Sequence, residues 1–454
     1  MYKLVFAMSF MILTFFMMTS GEVLAIGSLS LSLDECVDMA LKNNEEILKA
    51  KQDISEAEGR LTAVRSDEYL QVDFTSWHDR IKNENDYETK SYNGTIHAEQ
   101  RLARFGEVPG NIDAAQEQLR IALLGLESAK INVVSQTRST FYIILLIQDE
   151  IKERLVLRDE IEKKRARTEE RVEGKLALEL DLLDVELELA QQELRINELN
   201  RELRVRKAEL LQIIGADEES ALLITGDFTD EEYYLDECIK LAMDNRVELQ
   251  DLRGQLERQK RLLGEVWWEF LPELRALYKY KDASIRLEQQ NRTWDTILAY
   301  DKDIWSKEGG AVPGKNKWEL SFGLSFPIFD GYRIKGIMDE EKARLEKLII
   351  EIRQMEKSIR LEVRNTFEEV ANQKENMNIL EKVVILRRKT LERMEAIMET
   401  PVISQKYPRL AGITFDDVIR AREDYTEAQR SYFAQKRSYM MERENLRRIM
   451  GITR

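Results

Sequence analysis

The most constraining feature of the sequence is a short strand pattern that runs directly into a very long helical pattern. From Trp318 to Ile328, apolar residues occupy every second position, which is the period of a β-strand. From Ile334 to Met398 they recur at spacings of three and four, which marks one face of an α-helix. A helix of about 60 residues is roughly 90 Å long. Because no globular core is that long, we expect such helices to pack on one another as coiled coils.

The chain carries this plan twice. The segment that begins Leu33-Asp34-Glu35-Cys36 recurs 202 residues later, and over fifteen positions seven residues are identical. An internal duplication predicts two structural repeats, at 26–216 and 217–454. Each repeat is predicted to hold a first helix, two strands and a long helical hairpin. The predicted helical segments are Ser32–Asp67, Asn111–Thr168 and on to Ile214 after a break near Gly174, then Leu235–Trp268, Ile334–Met398 and on to Met450 after a break over Thr400–Gly412.

Four strands per chain are predicted, each with one apolar and one polar face. They begin near Leu70, Tyr92, Leu274 and Trp318, and the polar segments Lys82–Lys90 and Ser284–Lys317 are predicted as loops. A soluble sandwich would show the same alternation. Four strands are few for a sandwich core, however, and the charged residues on their polar faces suit a water-filled lumen. Because an open sheet edge is not tolerated in lipid, four strands would need further copies of the chain to close a barrel.

The N-terminus and the overall charge narrow the class further. Residues 1–25 are typical of a secretory signal peptide, with Lys3 before an apolar run; a short membrane anchor is the alternative. The formal net charge of −15 argues against nucleic acid as a partner. Gly215 and Gly451 are expected to cap helices. Cys36 and Cys238 occupy equivalent places in the two repeats, so two core thiols are expected rather than a disulfide, although an oxidising compartment permits one.

No catalytic, cofactor or metal constellation is found in the sequence. His78 and His97 are the only histidines, and no metal-ligand spacing surrounds them. The glycines from Gly309 to Gly314 lack the Lys-Ser/Thr pair and the following helix that a phosphate loop needs. The sequence therefore gives no support to an enzyme.

The chain resembles the TolC-like outer-membrane efflux protein family. The resemblance rests on the tandem repeat, the two strand pairs, Phe326–Gly331 before a long helix, Leu180-Asp181-Leu182-Leu183 and Asp417-Val418 after the hairpin tips, and the repeat ends at Gly215 and Gly451. It implies a mainly α fold with a small transmembrane β part. In this fold, three chains with four strands each form a 12-stranded β-barrel in the outer membrane and a periplasmic α-helical tunnel.

The resemblance also implies function, partners and site residues. The chain would be the passive exit duct of a tripartite efflux or type I secretion system, a homotrimer in outer-membrane lipid that works with a periplasmic adaptor and an inner-membrane pump. The acids at the tip opening would be Asp181, Asp416 and Asp417, and Arg409 could pair with an acid on the next hairpin. Gly174 and Gly412 would mark the adaptor-contact tips. Arg420 stands where some members carry another acid.

Two alternatives stay open at this point. A periplasmic coiled-coil adaptor or scaffold without a pore would share the long helices but would have no need of a lipid-facing stripe. Asp181 and Asp417 could also act simply as acids at the start of a helix, where they stabilise that end by about 0.3–1 kcal/mol.

Overall fold

A computed structural model of the chain describes residues 29–82, 88–106, 110–175, 177–217, 220–226, 228, 232–266, 273–280, 283–290, 293–307, 318–325, 329–399 and 415–453. The predicted signal peptide and the predicted break at Thr400–Gly412 lie outside these residues. The elements in chain order are β1 (Leu29–Leu31), α1 (Leu33–Asn43), α2 (Glu45–Val64), a 3₁₀ turn (Arg65–Glu68), β2 (Gln71–Lys82), β3 (Glu88–Gly106), α3 (Gly110–Glu173), α4 (Glu179–Ile213), β4 (Leu222–Ile224), α5 (Leu235–Asn245), α6 (Val247–Glu265), β5 (Glu273–Tyr280), β6 (Ala283–Gln290), β7 (Thr293–Lys307), β8 (Trp318–Ser325), α7 (Arg333–Glu399) and α8 (Phe415–Ile449).

The chain divides into two compact units, each built from three separate stretches of sequence. The first unit holds the described residues within 1–44, 136–230 and 374–441; the second holds those within 45–135, 231–373 and 442–454. Both units are mainly helical, as the sequence predicts. Among the described residues, no helix combines the length and the apolar character that a membrane span requires.

The first unit packs segments of four long helices around an apolar core. Residues of α3, α4, α7 and α8 meet in one buried cluster, because each helix turns one apolar face inward. Its members are Leu157, Ile161, Val185, Leu391, Val418, Ala421 and Tyr425. The unit also contains a small parallel sheet in which β1 pairs with β4, Leu29 opposite Leu222. This sheet was not predicted, since three residues carry no readable alternation.

The second unit contains a six-stranded antiparallel sheet in the order β2-β3-β7-β6-β5-β8. The predicted strands near Leu70, Tyr92, Leu274 and Trp318 are all present. The prediction of a loop over Ser284–Lys317 is wrong for β6 and β7, and the count of four strands per chain is wrong with it. β6 lies between β5 and β7, and residues 293–300 of β7 lie between β6 and β3, so ladder hydrogen bonds on both sides satisfy their backbone groups although many of the side chains are polar.

The long helices confirm the helical prediction closely. Two of them run without a break for 64 and 67 residues, α3 from Gly110 to Glu173 and α7 from Arg333 to Glu399. The first helix of each repeat, by contrast, is wrongly predicted as continuous. The helix of the first repeat breaks at Asn44 and that of the second at Arg246, and both residues are in an extended conformation. The side-chain amide of Asn44 donates to the carbonyl of Ile213 at 2.9 Å, which offsets the interrupted helical bonding.

The same backbone conformation ends both predicted repeats. Gly215 and Gly451 have φ angles of +65° and +70°, a left-handed conformation that favours glycine. In the first repeat, the N–H of Ala216 donates to the carbonyl of Leu211 at 2.9 Å, as in a Schellman cap. Equivalent bonds surround Gly451. The predicted C-terminal caps are therefore confirmed.

Both cysteines lie inside the protein as free thiols. Cys36 on α1 and Cys238 on α5 are buried, as expected of core residues at equivalent places in two repeats. Burial raises the pKa of the Cys36 thiol to about 12, and it raises the pKa of Cys238 as well. Thiols with such raised pKa values are poor nucleophiles at neutral pH.

Candidate functional site

One face of the six-stranded sheet carries large apolar side chains that are exposed. Phe322 on β8 is 78% exposed and Val72 on β2 is 62% exposed. The cross-strand pairing places the apolar residues of neighbouring strands on the same face, for example Ala276 of β5 opposite Phe322. Each square ångström of apolar surface in water costs about 25 cal/mol. This face therefore needs an apolar environment outside the chain.

The opposite face of the same sheet is polar. Asp73 of β2 pairs with His97 of β3, and the His97 Nε2 atom lies 3.5 Å from a carboxylate oxygen of Glu99. Alternating strands with one apolar and one charged face are typical of a barrel wall between lipid and water. The sequence predicted this two-faced character for the strands that it identified.

The first hairpin tip is a short turn between α3 and α4. The N–H of Gly174 donates to the carbonyl of Glu170 at 3.0 Å, and Lys175 has a left-handed φ of +57°. Asp181 lies in the first turn of α4, where its carboxylate accepts the backbone N–H of Leu178 at 2.9 Å. The half-exposed Asp181 thus acts as a helix-start acid, one of the two roles that the sequence left open.

The second hairpin tip lies largely outside the described residues. Arg409 and Gly412 are among the residues that the structure leaves undescribed, and so is the side chain of Asp416. Asp417 is half-buried in the first turn of α8, so its position parallels that of Asp181 on α4. The proposed acidic ring and its partner Arg409 stay predictions.

A cleft of about 440 Å³ opens beside the first tip within the first unit. Asp181 lines it together with Arg388, Arg422 and Tyr425, which come from α7 and α8. Burial raises the pKa of the Tyr425 hydroxyl. The structure thus brings Asp181 together with residues of the second helical hairpin, which the sequence did not foresee.

The floor of this region holds a buried ion cluster that joins three helices. Arg422 of α8 is 8% exposed, donates to Glu188 of α4 at 3.0 Å, and also pairs with Glu395 of α7. Burial raises the pKa of Glu188, and the charge of Arg422 opposes that rise. Removing one partner from such a buried cluster leaves a charge without compensation, so the cluster ties both hairpins together.

A second buried carboxylate joins helices of the same bundle at a different position along their length. Glu150 of α3 is 1% exposed and accepts hydrogen bonds from Arg195 of α4 at 3.1 Å and Arg437 of α8 at 3.0 Å. Arg437 also donates to Glu202 at 3.2 Å. Sequence reasoning missed both clusters. A charged residue on a helix is normally assigned to the solvated face, and only the packing of distant segments shows that these are buried.

The chain is similar to known outer-membrane proteins in both sequence and fold. The family model described as outer membrane efflux protein matches residues 36–216. These residues make up less than half of the chain, and over them the chain is similar to this family. A search among curated proteins finds no match.

The likeness to solved outer-membrane channel structures covers nearly the whole chain. The CmeC outer membrane channel of Campylobacter jejuni is 16% identical with a TM-score of 0.63, over 92% of this chain and 85% of that one. The outer membrane protein VceC of Vibrio cholerae is 14% identical with a TM-score of 0.62, over 92% and 96%. The open MtrE outer membrane channel of Neisseria gonorrhoeae is 14% identical with a TM-score of 0.62, over 92% and 88%. The chain therefore has the fold of these outer-membrane channels.

Proposed function

We propose that this protein is the outer-membrane channel of a tripartite efflux or type I secretion system, a passive exit duct that spans the outer membrane and extends into the periplasm. The observation that carries the proposal is the two-faced sheet, whose exposed apolar residues continue from strand to strand, in a chain with the outer-membrane channel fold. Driving energy would come from an inner-membrane pump, reached through a periplasmic adaptor.

The sheet itself supports assembly from several copies. In the described residues β2 and β8 are the two edges of the sheet, each paired on one side only. An unpaired edge in hydrocarbon costs several kcal/mol for each unsatisfied backbone group, so a membrane-spanning sheet must close on itself. Pairing of β8 in one copy with β2 in the next would close it, and a homotrimer is the assembly proposed.

The helices offer a second surface for the same assembly. Leu180, Leu183, Leu187, Leu194 and Val205 of α4 are all exposed. Their spacings of three, four, seven and eleven are close to whole helical turns, so they form one line along the helix, here called the α4 row. An exposed apolar line of this length marks a packing surface, and we propose that a neighbouring copy covers it.

The tips are the proposed contact points of the duct. Asp181, Asp416 and Asp417, repeated by threefold symmetry, would make an acidic opening that favours cations, with Arg409 as a basic partner on a neighbouring hairpin. Gly174 and Gly412 would lie where an adaptor docks. The parallel positions of Asp181 and Asp417 in the first turns of α4 and α8 support this proposal.

Extraction and conductance of the full-length protein test the function. We expect it to fractionate with outer membranes, to require detergent, to run as a heat-sensitive trimer and to conduct ions in planar bilayers. A mature protein that stays in solution without detergent and conducts nothing would contradict the duct. That result would favour a periplasmic coiled-coil adaptor or scaffold.

A further inference from the structure

The hairpin formed by β6 and β7 lies inside the sheet rather than at its edge. β7 pairs with β3 along its whole length, from Thr293 opposite Gly106 to Lys307 opposite Tyr92. On its other side the hairpin pairs with β5, where Ala283 stands opposite Tyr280. The hairpin thus separates the strands of the first repeat from β5 and β8 of the second.

The hairpin continues the apolar face of β5 and β8. Residues directly opposite each other on antiparallel strands lie on the same face of a sheet. Tyr278 of β5 stands opposite both Leu320 of β8 and Ile285 of β6, and Ile285 stands opposite Leu298 of β7. One apolar row therefore crosses four strands without interruption. The next row on this face runs through Phe322, Ala276, Leu287 and Thr296, of which only Thr296 is polar.

The hairpin also continues the polar face. Arg275 of β5 stands opposite Gly323 of β8 and Glu288 of β6, Glu288 stands opposite Asp295 of β7, and Asp295 stands opposite Arg104 of β3. The charged residues of this row cross four strands, β5, β6, β7 and β3. A surface hairpin outside the membrane would have no reason to keep both faces in step with the strands on either side of it.

We propose that β6 and β7 are part of the membrane-spanning wall, so that each chain supplies six strands and three chains close an eighteen-stranded barrel. The proposal rests on the proposed function. Six alternating strands leave β2 and β8 running in opposite directions, so β8 of one copy can pair antiparallel with β2 of the next. Since barrel diameter grows roughly linearly with strand number, the barrel would be about 1.5 times as wide as one of twelve strands, wide enough for an aqueous channel.

Cysteine labelling of the full-length protein in lipid vesicles tests the placement of the hairpin. Single variants at neighbouring positions, Arg286→Cys and Leu287→Cys in β6 and Asp295→Cys and Thr296→Cys in β7, would be exposed to a water-soluble maleimide. We expect Arg286→Cys and Asp295→Cys to react at least about tenfold faster, because their positions face the lumen and the other two face lipid. Lipids with brominated chains, applied after labelling of Leu287→Cys with a hydrophobic fluorophore in detergent, should quench its emission.

The controls separate this proposal from the proposed function. Wild-type protein, with its two buried cysteines, gives the background. Ser321→Cys and Phe322→Cys in β8 report on the wall itself. If β8 alternates and all four hairpin positions label equally, the hairpin lies outside the wall and only the eighteen-stranded barrel is overturned. If β8 also fails to alternate, the proposed function falls with it. A strand count by electron cryomicroscopy of the detergent-extracted trimer should give eighteen; twelve would overturn the proposal.

Discussion

At the residue scale, two glycines determine how the repeats end. A Cβ atom added to Gly215 would lie 2.7 Å from Cβ of Asn43, and one added to Gly451 would lie 2.8 Å from Cβ of Asn245. Asn43 and Asn245 are the matching last residues of α1 and α5. Each joint therefore needs glycine for two reasons, its left-handed backbone and the close approach of a neighbouring helix.

We predict that Gly215→Ala destabilises the protein by about 1–3 kcal/mol, since the backbone strain alone has that size. Gly59→Ala is the matched control, because Gly59 lies in the exposed part of α2 and an added Cβ would meet nothing within 4 Å. That control should gain about 0.5–1 kcal/mol. Denaturant unfolding of the two variants measures the difference, and equal midpoints would contradict the prediction.

Glu188, whose side chain is 13% exposed, gives a second prediction, which concerns the dependence of stability on pH. Its pKa is raised in the folded protein, so the folded state holds a proton more readily than the unfolded state. The contribution of Glu188 to the free energy of unfolding is therefore most favourable below the ordinary carboxyl range, and it declines as the pH rises through the raised pKa.

Glu188→Gln should remove this decline. We expect the variant to gain in stability relative to wild type as the pH rises above the ordinary carboxyl pKa of about 4.3, as measured by denaturant unfolding at each pH. Glu186→Gln, at an exposed position of the same helix, should follow wild type throughout. If the stability of wild type instead rises relative to that of Glu188→Gln across this range, the pairing with Arg422 outweighs the burial of the carboxylate.

Sequence patterns predict some of these residue roles and not others. The capping role of Gly215 and Gly451 could be predicted, because a glycine after a long helical pattern is a local signal. The buried positions of Glu150 and Arg422 could not be predicted. Their burial comes from helices up to 287 residues apart in sequence, as between Glu150 and Arg437, and no local pattern records it.

At the element scale, the long helices were predictable and the hairpin of β6 and β7 was not. The helices carry dozens of residues in one period, so errors at single positions do not matter. In β6, residues Ala283, Ile285 and Leu287 do alternate with polar residues. The signal was present but short. The surrounding Asp, Lys and Asn residues, which are depleted in strands, masked it.

Asp181 at the start of α4 carries the third prediction. Asp181→Asn should cost about 0.3–1 kcal/mol of stability, since it removes a negative charge from a helix N-terminus. If three copies also ring the pore, the same variant should lower the preference for cations, as measured by the reversal potential in planar bilayers under a salt gradient. Glu179→Gln, two residues earlier in the same turn, should leave the reversal potential unchanged. Unaltered selectivity in Asp181→Asn would exclude Asp181 from the ring.

At the scale of the whole molecule, the fold class followed from the sequence, whereas the number of strands did not. A mainly helical chain with a small two-faced sheet was predicted and is confirmed by the structure and by its likeness to outer-membrane channels. Strand number depends on pairing between distant segments. The sheet places β7 beside β3, about 200 residues earlier in the chain, and no single stretch of sequence encodes that neighbour.

The α4 row gives a prediction about assembly. Leu183→Glu combined with Leu187→Glu should abolish the trimer in detergent, because burial of each leucine contributes about 1.5–3 kcal/mol and charges would replace both. Both positions are exposed within one chain, so helical content by circular dichroism should stay unchanged. Glu193→Gln, on another side of the same helix, is the control. A trimer that survives the double substitution, as judged by light scattering, would show that the row faces something other than a neighbouring copy.

The pairing of β6 with β7 has one more consequence. A hairpin inserted into an antiparallel sheet adds two strands of opposite direction, so the strands on either side keep their original directions. β5 and β8 can therefore lead to the same helices with the hairpin present or deleted. If such a sheet forms a barrel, each added hairpin widens the pore by two strands per chain. The strands that connect to the helices keep their directions. Insertion or loss of a single contiguous stretch of sequence can therefore change the width of the pore without changing how the sheet is connected to the helices.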